Sequence, residues 1–93
     1  MIDPVLFNCL PGNRAPDWSE FASLFARSIL VVPDGFGGWD VESGVPEYRA
    51  TEWSVYGRLK SGERHAITDC PTRAAAEDAA KRISEISGLR IET

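Results

Sequence analysis

The sequence contains one histidine, His65, the kind of side chain that general acid-base catalysis uses near neutral pH. Asp69 lies four residues further along the same predicted strand and is expected to share a face with His65, and Cys70 follows it. A histidine oriented by a carboxylate beside a thiol would make a nucleophile system. Adjacent residues of a strand point to opposite faces, however, so Cys70 should turn away from Asp69. We therefore expect an ordinary surface histidine and a chain without catalytic residues.

Two motifs within residues 34–42 are candidates for holding an ion. The run Gly-Phe-Gly-Gly at 35–38 is followed by a strand pattern and by acids, whereas phosphate-binding loops lead into a helix and usually a lysine. Asp34, Asp40 and Glu42 lack the alternate spacing and the closing glutamate of a calcium loop. We therefore expect a hairpin tip at 35–38, and neither a cofactor nor a metal.

Residues 34–53 combine acids with large aromatic rings against a single base, Arg49. The acids are Asp34, Asp40, Glu42, Glu47 and Glu52, and the rings are Phe36, Trp39, Tyr48 and Trp53. Aromatic residues anchor protein interfaces, and uncompensated acids select basic partners. The segment therefore predicts a surface that binds a protein partner with a basic surface, with Phe36 and Tyr48 as exposed anchors. The predicted contact residues are Asp34, Phe36, Asp40, Glu42, Glu47, Tyr48 and Glu52.

Size and charge limit the classes of protein to which the chain can belong. Its 93 residues suffice for one domain, and the apolar fraction of 43% is ordinary for a globular chain. A net charge of −4 repels nucleic-acid phosphates and acidic membrane surfaces. The alternative interpretation of the acidic segment is that its carboxylates only keep the chain soluble, with Trp39 and Trp53 in the core.

The cysteines and the N-terminus favour the cytoplasm. Cys9 and Cys70 lie far apart, with neither a metal-ligand spacing nor the framework of a small disulfide-rich domain. Residues 1–3 contain no base, and the apolar run at 5–10 is short, so no signal peptide is expected. We expect a cytoplasmic protein with reduced thiols.

A helical pattern follows an N-terminal arm. The prolines of residues 1–16 predict an extended arm packed on the body, or alternatively a mobile tail that docks on a partner. Asp17 can cap a helix, with Glu20 as the reciprocal acid three residues on. The apolar residues that follow at spacings of three and four are Trp18, Phe21, Ala22, Phe25 and Ile29. This stripe predicts a first helix with its rings on the buried face.

Alternating patterns predict strands and two hairpins in the middle of the chain. The β-branched run 29–32 and the segment 39–42 flank the glycine-rich tip as the first hairpin. Residues 51–60 form the clearest strand, and 64–69 pairs with it as the second hairpin.

A second helix follows, capped by Thr72 and ended by Gly88. Its predicted inner stripe is Ala76, Ala79, Ala80, Ile83 and Ile86 or Ser87. Leu89 and Ile91 alternate beyond it, as in a short C-terminal edge strand. The order α-β-β-β-β-α predicts a single α+β domain over residues 1–93, with an open antiparallel sheet of three to four strands and two helices packed on one face.

The order of elements over residues 46–83 resembles the double-stranded RNA-binding domain. The resemblance rests on Pro-Glu-Tyr-Arg at 46–49 before a strand and on Thr-Arg-Ala-Ala-Ala at 72–76 opening an alanine-rich helix. A three-stranded sheet with a following helix also resembles integrase arm-binding domains, which read DNA with the sheet. These resemblances imply an alternative, a small nucleic-acid-binding domain that uses the basic residues of the central hairpin and of the second helix start. Its contact residues would be Arg49, Arg58, Lys60, Arg64 and Arg73.

In size, acidity and lack of catalytic motifs, the whole chain resembles small acidic phage and prophage accessory proteins, among them the anti-CRISPR inhibitors. That resemblance implies a stoichiometric inhibitor. Such a protein would offer its acids to a positively charged nucleic-acid-binding surface on the target, with rings as desolvated anchors.

Overall fold

The computed structural model describes residues 6–92 of the chain. In chain order its strands and helix are β1 (Phe21–Pro33), β2 (Trp39–Ser43), β3 (Glu52–Leu59), β4 (Arg64–Cys70), α1 (Arg73–Ser87) and β5 (Arg90–Ile91). Single 3-10 turns lie at Pro11–Asn13, Trp18–Glu20 and Glu47–Arg49. The α+β class expected from the sequence is confirmed, but one α-helix is present in the described residues where two were expected.

β1 is the central strand of an open sheet. The strand order is β2-β1-β3-β4, and each neighbouring pair is antiparallel. The short strand β5 pairs with β1 in the parallel direction, beside residues 23–24. β2 pairs with residues 29–33 of β1, so β2 and β5 lie at opposite ends of the side of β1 that β3 leaves open.

α1 packs across one face of this sheet, and its ends are those expected. The Thr72 hydroxyl oxygen accepts a hydrogen bond from Ala75 N at 3.1 Å, which caps the first turn. Gly88 ends the helix with a φ of 78°, in the left-handed region that glycine tolerates. The buried residues of the helix are Ala76, Ala79, Ala80 and Ile83. The three alanines among them let the helix approach the sheet closely.

The hydrophobic core lies between α1 and the sheet, and the segment before β1 closes its end. Its larger members are Leu6, Leu10, Phe21, Leu24, Val55, Ile67 and Ile83. Asn8 makes two hydrogen bonds to the backbone of Asp69, at 2.8 and 2.7 Å. Cys9 N donates to Ile67 O at 3.1 Å. Residues 6–13 therefore pack on the body in turns and cover the outer edge of β4, while residues 1–5 of the predicted arm lie outside the described residues.

The prediction of a helix that begins at Asp17 is wrong. The Asp17 carboxylate does accept a hydrogen bond from Ser19 N at 3.0 Å, but it caps a single 3-10 turn. The chain then extends as β1, which takes up the residues of the expected apolar stripe from Phe21 onward.

The helical spacing in this segment arises from a bulge and from burial on both faces. Phe21 and Leu24 come to the same face, although they are three residues apart, because the register with β3 shifts at Ala22. Phe25 and Ile29 lie four apart on the opposite face, where both are also buried. A strand buried on two faces has no clean alternation of apolar and polar residues.

Both predicted hairpins are confirmed by the pairing of β1 with β2 and of β3 with β4. Apart from the N-terminal extension of β1, the strand ends lie within one residue of the expected ones. No helix within residues 6–92 has both the length and the apolar character that crossing a membrane requires.

Gly57 provides a test of how closely core side chains of β1 and β4 pack against β3. A Cβ atom at this position would lie 2.4 Å from Phe21 Cδ1 and 3.0 Å from Ile67 Cδ1. We predict that Gly57→Ala lowers the free energy of unfolding by about 1–3 kcal/mol, as overpacking of a core does. Urea unfolding measures this loss. In a Phe21→Leu background the loss should shrink, and an equal loss in both backgrounds would show that the Phe21 ring is not its cause.

Candidate functional site

The β1–β2 hairpin ends in a tip that Asp34 holds together. Its Oδ1 atom accepts hydrogen bonds from Phe36 N at 2.7 Å and from Gly38 N at 3.0 Å. Gly35 and Gly37 both have a φ of 84°, which side chains disfavour. The sequence expectation of a hairpin tip is confirmed. The half-buried Asp34 carboxylate therefore organises the loop, and its predicted contact with a partner stays a prediction.

Large apolar side chains are exposed along this hairpin and in the turn that follows it. The exposed fractions are 95% for Phe36, 87% for Tyr48, 68% for Trp39 and 60% for Val41. Phe36 and Tyr48, the two anchors expected from the sequence, are thus both open to solvent, and Trp39 does not belong to the core. The hairpin surface, as the name is used below, consists of Phe36, Trp39, Asp40, Val41, Glu42 and Tyr48.

The two faces of β2 have different chemistry. Trp39 and Val41 project from one face together with Val31, which pairs directly with Val41. Asp40 and Glu42 project from the other face. Strand alternation therefore separates the apolar side chains of β2 from its acids.

A shallow cleft of about 460 Å³ lies beside the apolar face of β2. Its lining consists of Val31, Trp39, Val41, Thr51, Glu52 and Asp69. Glu52 is one of the predicted contact residues, and the fold places it in this cleft, on the opposite face of the sheet from Asp40 and Glu42. The cleft therefore has apolar walls on one side and two carboxylates on the other.

The remaining predicted acids are weakly paired at most. Glu42 Oε2 lies 3.9 Å from Arg49 Nη2, and Glu47 Oε2 lies 4.0 Å from Arg73 Nη1. These four side chains are about half exposed or more, where ion pairs contribute little. Asp40 has no ion-pair partner among residues 6–92. Much of the negative charge of the hairpin is therefore available to a partner.

The sheet face that carries Trp39 and Val41 also carries an arginine cluster, at the other end of the sheet. Phe25 and Tyr56 pair across β1 and β3, and their rings stack with centroids 5.3 Å apart. The Cζ atoms of Arg58 and Arg27 lie 4.7 and 5.3 Å from the Phe25 centroid. Arg64 Cζ lies 5.5 Å from the centroid of Tyr56. The arginine side chains cover these rings, and no helix of residues 6–92 packs on this face.

The five bases proposed from the sequence for nucleic-acid contact are not brought together. Arg58 and Arg64 pair directly across β3 and β4 and belong to the arginine cluster. Arg49 lies beside Glu42, Arg73 begins α1 with its Nε atom 2.9 Å from Glu77 Oε1, and Lys60 lies between β3 and β4.

Sequence reasoning misses Arg27, the third member of the arginine cluster. The helical interpretation of its segment separates it from the predicted hairpins. In a strand, Phe25, Arg27 and Ile29 share one face, and antiparallel pairing brings that face beside Arg58. The pattern that indicates the strand is the β-branched run beginning at Ile29. A strand extended from this run toward the N-terminus includes Arg27.

Glu92 neutralises one arginine of the cluster. Its Oε2 atom accepts hydrogen bonds from Arg58 Nε at 2.7 Å and from Ser23 Oγ at 2.6 Å. The hydrogen bond from Arg58, and to a lesser extent that from Ser23, holds the pKa of Glu92 below its usual range. Glu92 N also donates to Leu24 O at 2.7 Å, so the residue ties the end of the chain to β1.

His65 and Asp69 do not share a face, contrary to the sequence expectation. β4 carries an extra residue, Ile67, against β3, so His65 pairs with Gly57 while Asp69 pairs with Ser54. Gly57 and Ser54 are three apart in β3 and point to opposite faces. Asp69 Oδ1 instead accepts a hydrogen bond from Ser54 Oγ at 2.6 Å. The geometry does not assemble a base with its orienting carboxylate.

The two cysteines are poor nucleophiles. The pKa of the Cys9 thiol is raised to about 12, first because neighbouring atoms exclude part of the water around the sulfur and then because of the Asp69 carboxylate. Burial, followed by Asp69, also raises the pKa of Cys70. Both thiols are free, and both stay protonated at neutral pH, whereas the thiolate is the reactive form.

Within the part of the chain that the structure describes, no three histidine, cysteine, aspartate or glutamate side chains are placed to hold a metal ion. Comparison with models of protein families, with curated proteins and with solved structures found no match to this chain.

The Arg58–Glu92 pair predicts a pH-dependent contribution to stability. We expect Glu92→Gln to lower the melting temperature at neutral pH by a few degrees, because the amide loses the charge-assisted hydrogen bond. The pKa of Glu92 is lower in the folded chain than its ordinary value of 4.5. The stabilisation is therefore fully present above that ordinary value and is lost as pH falls through the lower, folded value.

Melting curves of the wild-type chain and the variant, recorded from neutral to strongly acidic pH, check this expectation. The difference in melting temperature should shrink on acidification. Glu85→Gln, at an exposed position of α1, is the matched control and should have little effect at any pH. A difference that stays constant throughout would contradict the assignment.

Proposed function

We propose that this chain is a non-enzymatic protein-binding module that presents the hairpin surface to a partner with a basic surface. The observation that carries the proposal is the exposure of Phe36, Trp39, Val41 and Tyr48 beside poorly compensated acids. Single exposed apolar residues are ordinary on protein surfaces. Four of them in one hairpin and the turn after it are typical of an interaction site.

The apolar and acidic residues of the hairpin surface would have different roles in binding. Buried aromatic anchors dominate the energy of an interface, and the strongest contribute about 2 kcal/mol or more each. Acids attract and orient a basic partner and speed its association, an effect that salt weakens. In this proposal the aromatic rings of the hairpin surface contribute most of the affinity, and its acids determine which partners bind.

The cleft beside Trp39 suits a lysine or arginine of the partner. The aliphatic stem of such a side chain can cover the apolar wall formed by Trp39 and Val41. Its cationic group can then meet the carboxylates of Glu52 and Asp69 on the other side of the cleft.

The resemblance to small acidic phage accessory proteins extends this proposal to a stoichiometric inhibitor of the anti-CRISPR kind that acts in the cytoplasm. Such an inhibitor occupies a positively charged site on a host protein complex. The hairpin surface has both features that this role requires, acids for the charged site and rings for its desolvated contacts.

Charge reversal on β2 tests the proposal. The chain is used to isolate its partner from the native host, and affinity is then measured at several salt concentrations. We predict that Asp40→Lys with Glu42→Lys weakens binding roughly tenfold or more and removes most of its salt dependence, because the steering charges are inverted. The melting temperature should change little, since both side chains are exposed.

The matched control reverses two exposed acids that lie outside the hairpin surface and the β1–β2 hairpin. Glu63→Lys with Glu85→Lys changes the net charge equally and should leave binding close to that of the wild-type chain. Equal binding by both double variants would refute the proposed contact surface.

A second candidate function is nucleic-acid binding by the arginine cluster. The observation in its favour is that Arg27, Arg58 and Arg64 lie on one sheet face, and Arg27 and Arg64 have no carboxylate within ion-pair distance among residues 6–92. The net charge of −4 and the pairing of Arg58 with Glu92 oppose it.

Titration with duplex DNA and duplex RNA at low salt separates the two candidates. If the hairpin surface is the functional one, we expect no binding tighter than roughly 100 μM, which is within the range of weak nonspecific contacts. Micromolar binding that Arg27→Ala with Arg64→Ala abolishes would favour the second candidate. The Asp40→Lys and Glu42→Lys chain shows whether charge alone produces any signal.

A further inference from the structure

Two hydrogen bonds establish which residues of β2 bind to β1. Gly44 N donates to Ser28 O at 2.8 Å, and Asp34 N donates to Gly38 O at 3.1 Å, so both are hydrogen-bonded pairs of the ladder. Bonded and non-bonded pairs alternate along antiparallel strands. The even-numbered residues of β2 therefore direct their backbone groups toward β1.

The odd-numbered residues of β2 direct their backbone groups away from the sheet. Trp39, Val41 and Ser43 thus present an open edge, which has no backbone partner within residues 6–92. The opposite edge of the sheet differs, because Asn8 and Cys9 already bind the backbone of β4. Open strand edges are templates for pairing with another chain, and β2 lacks the lysine or proline that commonly blocks them.

A second copy of this chain is a poor occupant of this edge. In an antiparallel pair of β2 strands, the two-fold axis can pass at residue 41 and place Asp40 opposite Glu42 of the other copy. An axis at residue 40 places Asp40 opposite Asp40 of the other copy, and an axis at residue 42 does the same for Glu42. Like charges directly opposite in a sheet are destabilising, so every antiparallel register that pairs at least three residues of the two β2 strands brings carboxylates together.

We propose that β2 receives an added strand from the partner, an extended segment in which basic residues alternate with apolar ones. This inference rests on the proposed function and names how the partner is held. Main-chain hydrogen bonds to Trp39, Val41 and Ser43 would extend the sheet. Basic side chains would then lie on the face of Asp40 and Glu42.

The apolar residues of the added strand would lie on the other face of the sheet, beside Trp39 and Val41. Basic and apolar residues that alternate along the added strand would therefore match the alternation of acidic and apolar residues along β2. An acidic segment could make the same main-chain bonds but would meet like charges, so charge selects among strands that the backbone alone accepts.

Synthetic peptides test this inference on the full-length chain. The probe is a nine-residue peptide of alternating valine and lysine, acetylated and amidated at its ends, with affinity measured by calorimetry. We expect binding in the micromolar range and slower amide exchange at Trp39, Val41 and Ser43. A peptide with glutamate in place of lysine should bind at least roughly tenfold more weakly.

N-methylation of alternate peptide amides separates strand addition from charge attraction. In the proposed register the valine amides face β2, and the lysine amides face away. Methylation of the valine amides should therefore abolish binding, and methylation of the lysine amides should leave it within a few fold. With four amides methylated in each peptide, the two have the same charge and composition, so each is the control for the other.

Equal binding by the two methylated peptides would overturn strand addition. If Asp40→Lys with Glu42→Lys weakens both of them, the hairpin surface still attracts basic chains and the proposed function stands. No binding of the unmethylated peptide, or binding that these substitutions leave unchanged, also overturns the inference. The partner isolation described above then decides the proposed function independently.

Discussion

The length of β1 relative to its neighbours is the constraint on which the rest of the structure depends. Its ladder with β3 ends where Ile29 pairs with Glu52, while its ladder with β2 continues to Pro33. The buried part of β1 fixes the strand in the core, and the part beyond it is two-stranded. Two strands alone bury little apolar surface, so side chains such as Trp39 remain exposed. A hairpin with a buried base and uncovered rings is thus a direct consequence of strand length.

The same sheet separates charge along its length. The hairpin end carries acids with weak partners, and the other end carries three arginines held against aromatic rings, one of them paired with Glu92. The net charge of −4 therefore conceals two surfaces of opposite sign. A basic partner of the kind proposed would be drawn toward the hairpin and repelled from the arginine cluster, and this would orient it before contact.

Local signals in the sequence predict the parts of the fold that local physics determines. The caps of α1 and its alanine stripe, the two hairpins and the exposure of Phe36 and Tyr48 follow from side-chain types and their spacing. β1 does not follow, because a bulge at Ala22 and burial on both faces imitate a helical period. The separation of His65 from Asp69 depends on a second bulge, and the arginine cluster depends on register. Register is set by tertiary packing, which spacing along one chain does not reveal.

Amide hydrogen exchange of the chain, free and bound to the partner isolated from its native host, tests the central claim most directly. The claim is that the β1–β2 hairpin and the turn after it form the contact surface. The account predicts that binding slows exchange in residues 30–43 and around Tyr48, while residues 54–58 and 64–66 near the arginine cluster keep their free rates. Protection confined to the arginine cluster, with an unchanged hairpin, would contradict it.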